Sequence, residues 1–91
     1  MTIARRFIIN GRVQGVGFRY FALRAARQAG VSGTVQNLPN GSVEAIAEGL
    51  ETGMNEFRAA LERGPSFGQV TGVKEYEIKP CGRYAGFEVV F

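Results

Sequence analysis

Histidine and aspartate are both missing from this chain, and cysteine occurs once, at Cys81. The first two absences remove the usual transition-metal sites, imidazole-based general acid–base catalysis and phospho-aspartate chemistry. The lone cysteine excludes an internal disulfide framework and suits a reducing compartment. It also fails as the nucleophile of a cysteine-phosphatase loop, because the position where that loop needs an arginine holds Phe87. Long apolar runs are lacking too. After Met1 to Arg6 the consecutive apolar residues are only Phe7, Ile8 and Ile9, too few for a signal peptide or a membrane span. A cytoplasmic location without membrane attachment is the expectation. The net charge of +3 is compatible with an anionic small molecule or with nucleic acid, and is also common in plain globular domains. Arg24, Arg27, Arg58 and Arg63 are spread rather than blocked, so no dedicated nucleic-acid patch is expected.

What is present fits one small domain, residues 1–91, with an ordinary apolar content of 45% and no linker or low-complexity segment. Phe7 and Ile9 alternate with Arg6, Ile8 and Asn10 as a first strand. Phe18, Phe21, Ala22, Ala25 and Ala29 recur at helical spacing, and Gly30 is a C-terminal stop. A second strand is expected over Thr34 to Leu38, a tight turn at Pro39-Asn40-Gly41, and a third strand over Ser42 to Glu48. Met54, Phe57 and Leu61 mark a second amphipathic helix ending before Gly64-Pro65, its first turn weakened a little by Gly53. Val73 to Lys79 reads as a fourth strand, Pro80 to Gly86 as a loop, and Phe87, Val89 and Phe91 as a short last strand. The order β-α-β-β-α-β plus a terminal strand predicts an α+β, ferredoxin-like split βαβ sandwich, with both helices on one face of an antiparallel-rich sheet.

The stretch Gly11-Arg12-Val13-Gln14-Gly15-Val16-Gly17-Phe18-Arg19 joins the first strand to the first helix. Its three glycines let the backbone curl and aim successive N–H groups at one point, where the helix adds the positive end of its dipole. Glycines there also serve a plain turn, and a lone glycine-rich pattern is a weak signal. Arg19 strengthens the anion reading. A cation in a first helical turn opposes the dipole, and its planar fork of donors suits a phosphoryl group. The order of a Walker loop is absent. Asn37, near the end of the second strand, is the other informative residue. Its carboxamide carries an acceptor and two donors and can hold a water by two contacts, while an asparagine there equally starts a turn.

The two segments together resemble the acylphosphatase family. Gly11-x-Val13-Gln14-Gly15-Val16-x-Phe18-Arg19 agrees with its first signature at each defining position, and Gly33-x-Val35-x-Asn37 followed by Gly41-x-Val43-Glu44 agrees with the second. The resemblance spans essentially the whole chain. It implies a ferredoxin-like fold and hydrolysis of the carboxyl–phosphate bond of an acyl phosphate to carboxylate and inorganic phosphate, with no cofactor and no metal. It also implies Arg19 as the phosphate-binding arginine, Asn37 as the water-orienting asparagine, and the loop Gln14, Gly15, Val16, Gly17 and Phe18 as the phosphate-binding cradle. Two positions depart from the family pattern: Thr34 where an aromatic is frequent, expected to alter packing or the pocket rim, and Asn40 where aspartate is common, a conservative change in a turn.

The residue inventory suits that chemistry. A carboxylate leaving group is a stable anion at neutral pH and needs little protonation, so a site without histidine or aspartate suffices. Glu44 is a candidate base by composition only; its strand position favours a structural or surface role. The expected partners are a small-molecule acyl phosphate and inorganic phosphate, with no nucleic acid and no membrane, and the expected state is a monomer. Three other readings compete, one of them a small-molecule regulatory domain of the same fold that binds the anion without catalysis. An RNA-recognition-like module shares the element order but needs stacking aromatics on the third strand, which here carries Glu44 and Glu48 and no aromatic. An acylphosphatase-like domain of a carbamoyl-phosphate-acting maturation protein would keep the cradle. A chain closing on a strand at Phe91 favours the free-standing enzyme.

Overall fold

The computed structural model describes every residue, Met1–Phe91. Seven elements follow in the expected order: β1 (Ile3–Arg12), α1 (Phe18–Ala29), β2 (Ser32–Asn37), β3 (Val43–Gly49), α2 (Glu51–Arg63), β4 (Gln69–Ile78) and β5 (Phe87–Val90). The sheet runs β4-β1-β3-β2-β5, antiparallel throughout except for the parallel β2–β5 pair. Each helix follows its strand and returns over the same face, so the ferredoxin-like expectation holds.

Alternation decides what that face buries. Phe7 and Ile9 of β1, Val35 of β2, Val43, Ala45 and Ala47 of β3 and Phe87 of β5 meet Phe18, Ala22 and Ala26 of α1 and Met54, Phe57 and Leu61 of α2. Phe57 is the hub, edge-on to Phe7 at 5.8 Å and to Phe87 at 5.5 Å between ring centroids. The expected α1 stripe is corrected by this packing. Its deepest line is Phe18, Ala22 and Ala26, whereas Phe21, Ala25 and Ala29 are only half-buried. Gly53 also has a different part from the one its helix propensity suggests. A Cβ there would lie 2.4 Å from the Ala29 carbonyl oxygen, so glycine lets α2 close on the end of α1.

The strand boundaries differ most at β4, which begins at Gln69 rather than Val73. β4 is an edge strand that pairs with β1 through a bulge at Asn10/Gly11, and this pairing carries the ladder back to Gln69 opposite Arg12. β2 begins earlier than expected, at Ser32, because Gly33 sits inside it. Gly33 has φ +147°, and a Cβ would lie 1.7 Å from the Ile46 carbonyl oxygen of the neighbouring strand. Gly33→Ala is therefore expected to push β2 off β3 and cost about 3 kcal/mol or more. A thermal melt should read this as a fall of more than about 10 °C.

β4 and β5 lie at opposite edges, so the segment joining them must cross the sheet. It crosses the face without helices and is held there by Glu48, a buried carboxylate on the central strand. Glu48 accepts the backbone N–H groups of Cys81 at 2.7 Å and Gly82 at 3.1 Å. The bond from Cys81 outweighs the cost of burial and holds the Glu48 carboxyl below its ordinary pKa.

Candidate active site

The site lies where the carboxyl-terminal ends of β1 and β2 meet the start of α1. A cavity of about 110 Å³ opens there, lined by Val13, Gly15, Gly17, Phe18, Arg19, Tyr20 and Asn37. Gly15 and Gly17 both take the left-handed conformation, with φ of 73° and 76°. Gly17 is the N-cap of α1 and offers no side chain to its first turn. The first intrahelical bond runs from Phe21 N–H to the Gly17 carbonyl at 3.0 Å, which leaves the N–H groups of Phe18, Arg19 and Tyr20 without an intrahelical acceptor. Such a helix start, bare of side-chain caps and of acidic residues, attracts an anion.

Arg19 is the one cation lining the cavity, and no carboxylate lines it. Its guanidinium carbon lies 4.6 Å from the centroid of the Phe91 ring, and Nη1 donates to the Val90 carbonyl at 3.4 Å. The Val90 carbonyl at the end of β5 and the Phe91 ring just beyond it thus brace the arginine, the cation–π contact being worth about 0.5–1 kcal/mol for an exposed pair. Sequence periodicity places Phe91 on the helix-bearing side of the last strand, yet nothing local announces its contact with a residue so far away in the chain.

Asn37 closes β2, paired with Val43 across the ladder. It shares the helix-bearing face with Val35 and so reaches the cavity. The turn that follows is built without its side chain. Asn40 does that work, its Oδ1 accepting Ser42 N–H at 3.0 Å and Ser42 Oγ–H at 2.6 Å, as an aspartate would. The Asn37 side chain lines the cavity, and the side-chain contacts within the turn are those of Asn40 and Ser42.

Gln14 and Val16 are not among the cavity-lining residues. The Gln14 side chain instead crosses to the β2–β3 turn, its Nε2 donating to the carbonyls of Leu38 and Ser42 at 2.8 Å each. Thr34 lies on the other face of β2, between Ile46 and Glu88 in the ladders, so its departure from the family pattern concerns packing rather than the cavity. Glu44 is also on that face. Burial would raise its pKa, but hydrogen bonds from Gln36 at 2.8 Å and Arg6 at 2.6 Å, with the charge of Arg6, hold it below the ordinary value. It is an ion-paired strut outside the cavity. Tyr84 is half-buried there as well, its hydroxyl pKa pushed up by burial and by Cys81, Glu48 and Glu44. A larger hollow of about 670 Å³ lies between α1 and α2, but it contains neither the cradle nor Asn37.

Fold and site together define a split βαβ protein with a small cavity, lined by one arginine and one asparagine, at the head of its first helix. A family model described as Acylphosphatase matches residues 5–89. Acylphosphatase of Archaeoglobus fulgidus is 44% identical, over 98% of this chain and 99% of that one. The crystal structure of acylphosphatase from Bacillus subtilis superposes with a TM-score of 0.93 at 37% identity, covering 98% of this chain and 99% of that chain. HypF of T. kodakarensis contains a similar unit, with a TM-score of 0.85 and 30% identity over 98% of this chain but 12% of its own length. The chain belongs to the acylphosphatase family and is an enzyme of acyl phosphate hydrolysis.

Proposed function

We propose that the hydrolysis proceeds by metal-independent, in-line attack of water on phosphorus, with Arg19 and Asn37 as the catalytic residues. The observation that carries this reading is their placement on the wall of one small cavity beside the unpaired amides of the α1 head. The terminal phosphate sits on the Gln14–Phe18 loop and the first-turn N–H groups, and Arg19 forks onto two of its oxygens. Asn37 holds a water by donor and acceptor, in line with the bond from phosphorus to the leaving carboxylate. As that bond lengthens, charge on the equatorial oxygens is met by donors already in place, so the catalysis is positioning and electrostatics. The water's proton passes to the phosphate itself, and the products are a carboxylate and inorganic phosphate.

Two features support the absence of a metal from this scheme. The cavity lining offers no carboxylate, imidazole or thiolate, and no cluster of three or more metal-ligating side chains exists in the fold. The leaving group is intrinsically good, so no Lewis acid is needed. The test is hydrolysis of benzoyl phosphate, acetyl phosphate and carbamoyl phosphate with EDTA present, and p-nitrophenyl phosphate as the poorer leaving group. Undiminished turnover of the acyl phosphates, with negligible release of p-nitrophenol, is expected. Activity that EDTA removes and a divalent cation restores would overturn the metal-free scheme. Carbamoyl phosphate hydrolysed to the exclusion of the others would instead favour a maturation-type domain.

The same reading makes the enzyme a cytoplasmic monomer acting on a small molecule. Its one cysteine is exposed and unpaired, and no helix is long and apolar enough to cross a membrane. The sheet face that an RNA-recognition module would present carries Glu44 and the Glu48-held segment, which argues against nucleic acid.

A further inference from the structure

The backbone of Gln14 belongs to the cradle loop, but its side chain leaves that loop and reaches residues 24 and 28 positions further on. Both of its contacts are carbonyl oxygens, which fixes the amide orientation: only an NH₂ can serve both. Its two hydrogens go to Leu38 O and Ser42 O. Each of these oxygens already takes a bond within the turn, Ser42 O from Leu38 N–H at 2.9 Å and Leu38 O from Gly41 N–H at 3.1 Å. The second lone pair of each is therefore what Gln14 occupies. The turn's internal bonds, including those to Asn40, set its shape. They do not set its distance from the head of α1. The hydrogen bonds that span from the loop to the turn are the two made by Gln14.

Asn37 directly precedes Leu38 and ends β2. We infer that Gln14 is a positioning residue: its carboxamide clamps the β2–β3 turn to the cradle and so sets where the Asn37 carboxamide stands relative to the phosphate. This rests on the role given to Asn37 above. The residue type fits the task. Glutamate would set lone pairs against two carbonyls, methionine would fill the space without donating, and asparagine, shorter by one methylene, would not reach both oxygens. A displacement of about 1 Å in a positioned group costs up to about 10² in rate, and a lost clamp would act through such a shift.

The experiment is a double-mutant cycle of Gln14→Met and Asn37→Ala, with kcat on benzoyl phosphate and the Kd of orthophosphate measured for all four proteins. Gln14→Met is expected to lower kcat about tenfold or more, with orthophosphate affinity within about threefold of the parent. In the Asn37→Ala background the same substitution should change kcat less than about twofold, because the group it positions is gone. Equal losses in both backgrounds, or a fall in phosphate affinity that tracks kcat, would overturn the inference. Should Gln14→Met not fold, Gln14→Asn enters the same cycle with the same expectations. A second arm needs no substrate: amide exchange at Leu38 and Gly41 and the shift of the Asn37 side-chain amide, by NMR. Faster exchange and a moved Asn37 signal in Gln14→Met support the clamp, and unchanged spectra refute it. If the parent enzyme failed to hydrolyse acyl phosphates, the functional reading would fall while this arm still decided the clamp.

Discussion

Arg19→Ala is expected to abolish competitive inhibition by orthophosphate and to lower kcat/KM on benzoyl phosphate by at least about 10³. Two independent magnitudes lead there. A charge-assisted hydrogen bond contributes about 1.5–3 kcal/mol, so a bidentate fork loses about 3–6 kcal/mol, or about 10² to 10⁴ in affinity. A transition-state arginine in phosphoryl transfer supplies about 10³ to 10⁵ in rate. What remains after the substitution is the head of α1, whose partial charge of about +0.5 is spread over free amides and faces solvent. That is too little for a dianion when the one cation of the cavity has been removed.

The conservative variant sharpens the point. Arg19→Lys keeps the charge but loses the planar fork, the stacking on Phe91 and the tie to the Val90 carbonyl. It should recover part of the phosphate affinity and little of kcat, because a mobile ammonium does not arrive pre-aligned with the equatorial oxygens. Titration calorimetry with orthophosphate and steady-state kinetics on both variants make the check. Phosphate binding by Arg19→Ala within about threefold of the parent would contradict the assignment, since a bidentate charged contact cannot be worth so little.

The site and the fold were legible in the sequence to different depths, for physical reasons. Alternation at Phe7 and Ile9 and at Phe87 and Val89, and the 3.6-residue spacing of Met54, Phe57 and Leu61, are local signals, and the elements they mark are present. Arg19 and Asn37 stand beside local signals as well, a glycine loop before a helix and a strand end before a turn, and both line the same cavity. Long-range contacts were not legible. Gly53 reads as a blemish in α2 until the carbonyl of Ala29 is seen against it. The residues before Val73 join β4 only through their pairing with Asn10, Gly11 and Arg12 across the β1 bulge. The partners of Gln14, the ring of Phe91 against Arg19 and the grip of Glu48 on Cys81 and Gly82 all join residues remote in the chain. No periodicity encodes which remote carbonyl a polar side chain will find.

Asn37→Ala should give the complementary result: kcat on acyl phosphates down by roughly 10² or more, with orthophosphate affinity nearly unchanged. The separation follows from what each group touches. In the proposed scheme Arg19 meets the phosphoryl oxygens, which are charged in substrate, product and transition state alike, so its loss is expected in binding as well as in rate. Asn37 is neutral and is assigned only the attacking water, so its loss removes an interaction made in the reacting complex alone. A factor of 10² corresponds to about 2.7 kcal/mol, within the range measured when one positioned polar donor is deleted from an active site. The fold provides a control for the competing role of asparagine as a turn former. Turn geometry here depends on Asn40 and Ser42, whose contacts do not involve Asn37. Asn40→Ala should therefore lower the melting temperature and Asn37→Ala should not. If Asn37→Ala instead melted early and kept its kcat, the residue would be a piece of the turn, and the attacking water would have to be aimed by the amides of the α1 head alone.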